Sequence, residues 1–154
     1  MDVANLLTSW IGWSGLTYDK MSRLRNLEGG WEAWFQADFC AYLSTVIGIG
    51  FARETTYPGH YGRADLRLQD AELEVFCEFK CLYALANMQQ MYNDIQADNA
   101  RLASIQSGCA RLMLCWCEVG TALHAQLLTD NFDVYATIPD PAGGNSFECL
   151  GIAF

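Results

Sequence analysis

Apolar residues recur with two different periods along this chain, and the period distinguishes predicted helices from predicted strands. Spacings of three and four residues predict amphipathic helices, whereas alternation of apolar and polar residues predicts strands. A nearly continuous apolar run near residue 115 predicts a strand that is covered on both faces. The predicted helices are 3–13, 18–27, 31–48 and about 83–107, and the predicted strands are 51–57, 63–69, 73–82 and 110–119.

The order of these elements predicts a central mixed β-sheet flanked by helices, in the α/β or α+β class. A length of 154 residues suits one domain with one core, which we expect to span 1–154. Within it we expect N-terminal helices over 1–28, the core over about 30–118 and a C-terminal hairpin over about 130–154. The segment "ALHAQLL", residues 122–128, is compatible with a helix or a strand.

Composition and charge limit the classes of function. The chain is 52% hydrophobic and 18% charged, which is typical of a globular protein rather than a disordered one. Its 9 basic and 18 acidic residues give a net charge of −9, and such a protein is repelled by phosphate backbones at long range. This charge argues against a passive nucleic-acid binder. It is consistent with an enzyme that uses a metal ion and a few local arginines, and with a protein whose partner is basic.

The seven cysteines lie mostly in apolar runs such as "LMLCWCEV", and their number is odd. A secreted disulfide framework shows an even number between loop residues, so the pattern predicts reduced, buried thiols in a cytosolic protein. A zinc site is the less favoured alternative. It would combine Cys115 and Cys117 with Cys77 and Cys81 from a neighbouring strand.

The N-terminal segment does not have the pattern of a signal peptide. "MDVANLLTSWIGW" carries an acidic residue where a basic start is typical, and its apolar stretch is short. No run approaches the roughly 20 apolar residues of a membrane span. We therefore expect a cytoplasmic protein with no membrane partner.

Three charges in the hairpin "RADLRLQDAELEVFCEFKC" occupy positions where a simple core would prefer hydrocarbon. Glu78 and Lys80 are two residues apart in one strand, so they point the same way, and Asp65 lies on the neighbouring strand. Neighbouring carboxylates repel, and a divalent cation such as Mg²⁺ or Mn²⁺ offsets this repulsion. A lysine beside the metal can orient water and stabilise charge on a phosphate. The alternative is a solvated sheet face with no ligand.

The arrangement resembles the PD-(D/E)XK, or restriction-endonuclease-like, nuclease superfamily. The pattern of that family is an acid on one strand, then acid-x-Lys on the next strand, followed by a helix. In this chain "RADL" supplies Asp65, and "EFK" supplies Glu78 and Lys80, with Ala64 where the family name has proline. The resemblance covers roughly residues 30–118 and implies a restriction-endonuclease-like core.

The resemblance also implies roles for individual residues. Asp65, Glu78 and the backbone carbonyl of Phe79 would bind Mg²⁺ or Mn²⁺, and Lys80 would position the attacking water. Glu32 in "GGWEAWFQADF" matches a glutamate on the first core helix and would bind a second metal or its water shell. Its place in the first helical turn is also explained by the helix dipole alone. Candidate substrate-binding residues are Arg63, Gln89, Gln90 and Tyr92, with further arginines at 53, 67, 101 and 111.

Two functions follow from these residues. The first is a metal-dependent nuclease that hydrolyses phosphodiester bonds, with DNA favoured over RNA, acting as a homodimer or with a protein partner. The second is a catalytically inactive protein on the same fold that inhibits, or gives immunity against, a basic protein. The net charge of −9 favours the second, and the complete set of Asp65, Glu78 and Lys80 favours the first.

Overall fold

The computed structural model describes most of the chain. The described residues are 3–24, 31–59, 62–69, 74–82, 87–105, 108–140 and 143–154, and at 3, 18, 21, 22, 24 and 31 only the backbone is described. They form four α-helices, a short π-helical turn and six strands. The helices are α1 (Val3–Leu24), α2 (Trp31–Tyr42), α3 (Met88–Ser104) and α4 (Ala122–Thr129), with the π-helical turn at Leu43–Ile47. The strands are β1 (Gly50–Thr56), β2 (Arg63–Gln69), β3 (Glu74–Cys81), β4 (Ala110–Glu118), β5 (Asp133–Ile138) and β6 (Phe147–Ala153).

All six strands belong to one mixed sheet with the order β1-β2-β3-β4-β6-β5. Strands β3 and β4 pair in parallel, and every other neighbouring pair in this sheet is antiparallel. A parallel pair needs a crossover, which α3 provides between β3 and β4. The predicted α+β class with a mixed sheet flanked by helices is confirmed, as is the terminal hairpin formed by β5 and β6.

Helices cover both faces of the sheet and divide the core into two layers. Residues of α1 and α2 pack on one face, against Val75, Cys77 and Phe79 of β3. Residues of α3 and α4 pack on the other face, against Phe76 of β3. Strand β4 contributes alternate side chains to both layers, which explains why its sequence is apolar almost throughout.

The fully buried Trp10 lies at the centre of the layer formed by α1 and α2. Its ring stacks on Phe79, with centroids 5.2 Å apart, and meets the edges of Phe35 and Phe39 at 4.7 and 4.6 Å. Its indole N–H donates to the Cys149 sulfur at 3.1 Å. One side chain therefore joins α1, α2, β3 and β6, and it supports β3 from the face opposite Glu78 and Lys80.

The N-terminal region differs from the prediction of two short helices, because α1 runs without interruption from Val3 to Leu24. Gly12 and Gly15 lie inside it; a glycine in a helix costs roughly 0.5–1 kcal/mol. Burial of Trp10 and Trp13 exceeds this cost. The spacing of Leu7 and Ile11 in the sequence predicts that Ile11 is buried, but it is 45% exposed, and Trp13 is buried instead.

Two other helices begin at side-chain caps. The Asn87 side chain accepts from the backbone N–H of Gln90 at the start of α3, and Thr121 caps α4 in the same way. The Thr121 cap resolves the ambiguity of "ALHAQLL" in favour of a helix. The predicted start of α3 near residue 83 lies outside the described residues. Met88, predicted in the buried stripe of α3, is 38% exposed in its first turn.

All seven cysteines are free thiols, and six of them are buried. Cys77 and Cys81 lie in the layer with α1 and α2, whereas Cys115 and Cys117 lie in the layer with α3 and α4. The sheet itself separates the two pairs, so the alternative of a shared zinc site is wrong. None of the described helices is both long and apolar enough to cross a membrane.

We expect Trp10→Ala to lower the free energy of unfolding by about 3–5 kcal/mol, because it empties the centre of one core layer. Urea unfolding followed by circular dichroism measures this change. Leu16→Ala is the matched control, since Leu16 lies on the same helix and is 75% exposed. It should change the free energy by no more than about 0.5 kcal/mol. Equal losses in the two variants would contradict the central position of Trp10.

Candidate active site

The candidate site lies where β2 and β3 stop pairing. Their antiparallel register ends at Leu66 opposite Cys77, so Asp65 would be the next residue opposite Glu78. The Asp65 carboxylate instead accepts a hydrogen bond from the backbone N–H of Phe79 at 2.8 Å. Where the two strands separate, the Asp65 side chain therefore accepts the hydrogen bond of a main-chain N–H in β3.

A third acid lies in the same cross-strand row. In β1, Arg53 pairs with Leu66 and Thr55 pairs with Ala64, which puts Glu54 opposite Asp65. Glu54 has a φ of 51°, in the left-handed region that a glutamate rarely adopts. Like charges directly opposite each other destabilise a sheet, so the row Glu54–Asp65–Glu78 gives a physical reason for the loss of regular pairing.

Strand β2 changes face at Asp65. Leu66 packs in the layer with α2, whereas Ala64 packs in the layer with α3. The alternation in "RADLRLQ" predicts that Ala64 and Leu66 share a face, as residues two apart do in a regular strand, and the structure shows that this prediction is wrong. The irregularity turns the Asp65 carboxylate toward the backbone of β3, where it accepts the bond from the Phe79 N–H.

Glu78 is buried in the middle of the sheet, with 3% of its surface exposed. The hydroxyl of Tyr57, at the end of β1, donates a hydrogen bond to its carboxylate. Burial raises the pKa of Glu78 to about 7, Lys80 and Arg101 lower it in part, and Glu32 and Glu54 raise it further. At neutral pH this carboxyl is therefore close to half protonated.

Glu32 reaches the same region from the first turn of α2. Its carboxylate accepts a hydrogen bond from the backbone N–H of Cys81 at 3.2 Å. Burial raises the pKa of Glu32, Lys80 lowers it, and the charges of Asp65 and Glu54 raise it. Burial also raises the pKa of Asp65, and Lys80 and the bond from Phe79 lower it. The carboxylates predicted from sequence thus form one electrostatic group around Lys80.

The ammonium group of Lys80 contacts two oxygens. It donates to the carbonyl of Phe79 at 3.2 Å and forms an ion pair with Asp98 at 2.9 Å. Asp98 lies on α3, is 3% exposed, and also pairs with Arg101. The lysine is therefore fixed between β3 and α3, with 19% of its side chain exposed.

Sequence reasoning missed four residues of this group: Tyr57, Glu54, Asp98 and Arg101 as a member of an ion pair. Asp98 had a visible signal, because it interrupts the apolar stripe of α3 between Ile95 and Leu102 at helical spacing. Glu54 also had one, because an alternating strand places it opposite Asp65. Tyr57 had none, since an aromatic residue at a strand end is ordinary.

Three of the candidate substrate-binding residues lie on α3, away from the Lys80–Asp98 pair. Tyr92 donates to Asp130 after α4 at 2.9 Å, and Gln89 lies half a helical turn around from Asp98. Gln90 bonds to Asp94 and lies two turns before Asp98, about 12 Å along the helix axis. The structure does not bring these three residues to Lys80. Arg63 is exposed at the start of β2, two residues from Asp65.

The predicted arginines separate into different environments. Arg67 pairs with Glu74, and Arg111 donates to backbone carbonyls and stacks on Phe154. Arg53 donates to Gln36 at 3.0 Å, and Arg101 is close enough to Glu78 to lower its pKa. One arginine, Arg101, therefore lies near Glu78 beside the Lys80–Asp98 pair, instead of five arginines forming one groove.

Within the described part of the chain, no three His, Cys, Asp or Glu side chains are arranged to hold a metal ion by themselves. The carboxylates of Asp65, Glu78 and Glu32 each accept a hydrogen bond from a protein donor. Asp65 and Glu78 occupy facing positions of β2 and β3, and the carbonyl of Phe79 lies beside Lys80, so the available donor set is two carboxylates and one carbonyl. That set consists of hard oxygens only, which suits Mg²⁺ or Mn²⁺ rather than zinc.

Comparison of the chain with protein-family models, with curated proteins and with solved structures finds no match. The fold class therefore rests on the strand order and on the helices that cover the sheet. The interpretation of the site rests on the contacts of Asp65, Glu78, Lys80 and Glu32. The resemblance to PD-(D/E)XK nucleases remains a prediction from their order along the chain.

The raised pKa of Glu78 makes the stability of the protein depend on pH. The folded state holds a proton on Glu78 up to about pH 7, whereas a free glutamate loses it near 4.5. Glu78 makes its full contribution to the free energy of unfolding below about pH 4.5. This contribution falls by up to about 3 kcal/mol as the pH rises through 7. Glu32 and Asp65 act in the same direction.

Urea unfolding from pH 5 to pH 8 in the presence of a chelator should therefore show a smaller fall for Glu78→Gln than for the native chain. Asp133→Asn, an exposed change on the opposite edge of the sheet, should retain the native fall. If Glu78→Gln and the native chain show the same pH dependence, Glu78 does not hold a proton in the folded state.

Proposed function

We propose that the protein is a metal-dependent nuclease that hydrolyses phosphodiester bonds, with DNA as the favoured substrate. The observation that carries this proposal is the placement of Asp65, Glu78 and the Phe79 carbonyl beside Lys80, where two strands separate. Opening the sheet there brings main-chain and carboxylate oxygens next to one ammonium group. A solvated sheet face does not explain why these charges are largely buried.

A divalent cation fits this donor set. Mg²⁺ is usually held by one or two carboxylates and keeps several waters, so a cluster of three acidic side chains is not required. Asp65, Glu78 and the carbonyl of Phe79 would hold it, and Glu32 would contact a second cation or its water shell. Burial and mutual repulsion raise the pKa values of these acids, and a cation would offset both costs.

The chain's own residues account for the remaining steps. A bound cation supplies a Lewis acid for the phosphate oxygen. Lys80, fixed by Asp98 and the Phe79 carbonyl, orients the attacking water and stabilises the negative charge that develops on the phosphate. The water oxygen bonds to phosphorus as the bond to the leaving oxygen breaks, and one proton of the water passes to the leaving oxygen, so the products are a phosphomonoester and a hydroxyl group.

The net charge of −9 requires the substrate to be held locally. Arg101, which shares Asp98 with Lys80, supplies positive charge there. A domain of this size contacts a limited length of duplex, so we propose a homodimer or a protein partner for duplex substrates. Seven free thiols support a reducing compartment, which we propose is the cytoplasm.

One observation favours the alternative, an inactive protein that binds a basic partner. The ammonium of Lys80 is already paired with Asp98, and the chain is strongly acidic. An ion pair of this kind is sufficient to fix β3 on α3 without any substrate. The lysine nevertheless retains 19% exposure, and the binding of a basic partner does not require the buried Glu78 beside it.

The proposal is tested by cleavage of single- and double-stranded DNA with Mg²⁺ or Mn²⁺, in the native chain and in Lys80→Met. We expect metal-dependent cleavage that falls at least about 100-fold in the variant, because Lys80 positions the water. The matched control is Lys20→Met, since Lys20 and Lys80 are the two lysines of the chain. Lys20 is exposed and pairs with Asp38, so its loss should leave cleavage unchanged.

Urea unfolding of Lys80→Met separates a loss of activity from a loss of folding. Cleavage that survives in folded Lys80→Met would belong to a contaminant or to another site. If the folded native chain cleaves neither DNA nor RNA with either metal, the nuclease proposal is wrong, and binding to basic proteins becomes the function to test.

A further inference from the structure

The buried carboxylate of Asp98 forms ion pairs with two positively charged side chains, Lys80 and Arg101. One oxygen contacts Lys80 at 2.9 Å, and the other contacts Arg101 in the next turn of α3. One lysine is enough to neutralise one aspartate, so Arg101 brings a second positive charge to this place. The group carries a net positive charge beside the carboxylates of β3.

Contacts at both ends fix the side chain of Arg101. Its guanidinium group is held by Asp98, and its Cδ lies next to Gly62, just before β2. A side-chain carbon added at Gly62 would be 3.6 Å from the Cδ of Arg101 and 3.6 Å from the Tyr57 ring. The arginine therefore lies between α3 and the end of β1.

Arg101 nevertheless remains accessible. Its side chain is 44% exposed, whereas that of Asp98 is 5% exposed and that of Lys80 is 19% exposed. Arg101 shares the Asp98 carboxylate with Lys80, so the guanidinium lies at the border of the candidate site. A guanidinium has five N–H donors in a planar fork that matches two oxygens of a phosphate.

We propose that Arg101 binds a phosphate of the nucleic-acid substrate and that Asp98 is the positioning residue that aligns Arg101 with Lys80. This inference rests on the proposed nuclease function. It assigns the ligand class of Arg101, a phosphodiester oxygen, and it explains why a buried aspartate on α3 holds two cations. Lys80 then positions the attacking water, and Arg101 binds the phosphate. The carboxylate of Asp98, which contacts both side chains, fixes the distance between them.

The first test measures binding of a fluorescein-labelled DNA oligonucleotide by fluorescence anisotropy at several salt concentrations. Ca²⁺ replaces Mg²⁺ so that binding is measured apart from cleavage. Loss of one phosphate contact should weaken binding about tenfold in Arg101→Gln and lower the slope of log Kd against log salt by roughly 0.7–0.9. Arg101→Lys keeps the charge, so it should retain the slope but bind more weakly than the native chain.

Arg23→Gln is the matched control, because it removes one positive charge at an exposed position in the last turn of α1. It should leave the slope unchanged. Equal effects of Arg101→Gln and Arg23→Gln would overturn the inference and leave only a general charge effect. If the native chain cleaves DNA and Arg101→Gln binds and cleaves like the native chain, the inference fails and the nuclease proposal stands. If the native chain neither binds nor cleaves DNA, both the inference about Arg101 and the nuclease proposal are wrong.

The role of Asp98 needs a readout that a merely structural residue would not change. Asp98→Asn should reduce kcat at least about tenfold while KM changes little, because the side chains of Lys80 and Arg101 lose their alignment but keep their positive charges. Adding Asp98→Asn to Lys80→Met should reduce kcat little further than Lys80→Met alone, since both changes disrupt one unit. Additive losses in folded variants, verified by urea unfolding, would overturn the positioning role.

Discussion

The candidate site depends on the repulsion between acids that lie in one row across three strands. Glu54, Asp65 and Glu78 occupy the same row of β1, β2 and β3, where regular pairing would put their carboxylates side by side. The sheet does not pair regularly there, and one member of the row adopts a left-handed backbone. Each carboxylate that leaves water needs a donor, and the opened strand provides the N–H groups of Phe79 and Cys81.

The opposite face of β3 makes this opening tolerable. Phe79 lies between two charged residues in sequence, yet its ring stacks on the buried Trp10 and contacts Phe35. Apolar burial on that face fixes β3 while hydrogen bonds and ion pairs satisfy the charges on the other. Lys80 joins β3 to α3 through its ion pair with Asp98. A central strand can therefore carry two charged residues because its other face is anchored by aromatic packing.

The sequence allowed prediction of the parts that depend on local periodicity. The alternation in β3 correctly assigned Val75, Cys77 and Phe79 to one face, and the apolar run of β4 correctly indicated a strand covered on both faces. The motif also led to Asp65, Glu78, Lys80 and Glu32, which the structure places around one strand end.

Tertiary contacts determined what the sequence did not reveal. The reversal of β2 at Asp65 follows from charges on three strands, and no window of local sequence contains all of them. Helix α1 continues through Gly12 and Gly15 because the burial of Trp13 outweighs the low helix propensity of glycine. The partner of Lys80 lies 18 residues later on α3, so only the crossover between β3 and β4 brings Asp98 to it.

The most direct test of a cation site at this strand opening is calorimetric titration of Mn²⁺ into the native chain, Asp65→Asn and Glu78→Gln. The account predicts binding to the native chain that strengthens as the pH rises through 7, because Mn²⁺ must displace a proton from Glu78. It also predicts that folded Asp65→Asn and Glu78→Gln both lose this binding, while Asp133→Asn retains it. Absence of binding to the folded native chain at millimolar Mn²⁺, or binding that survives in both variants, would contradict a metal site formed by Asp65 and Glu78.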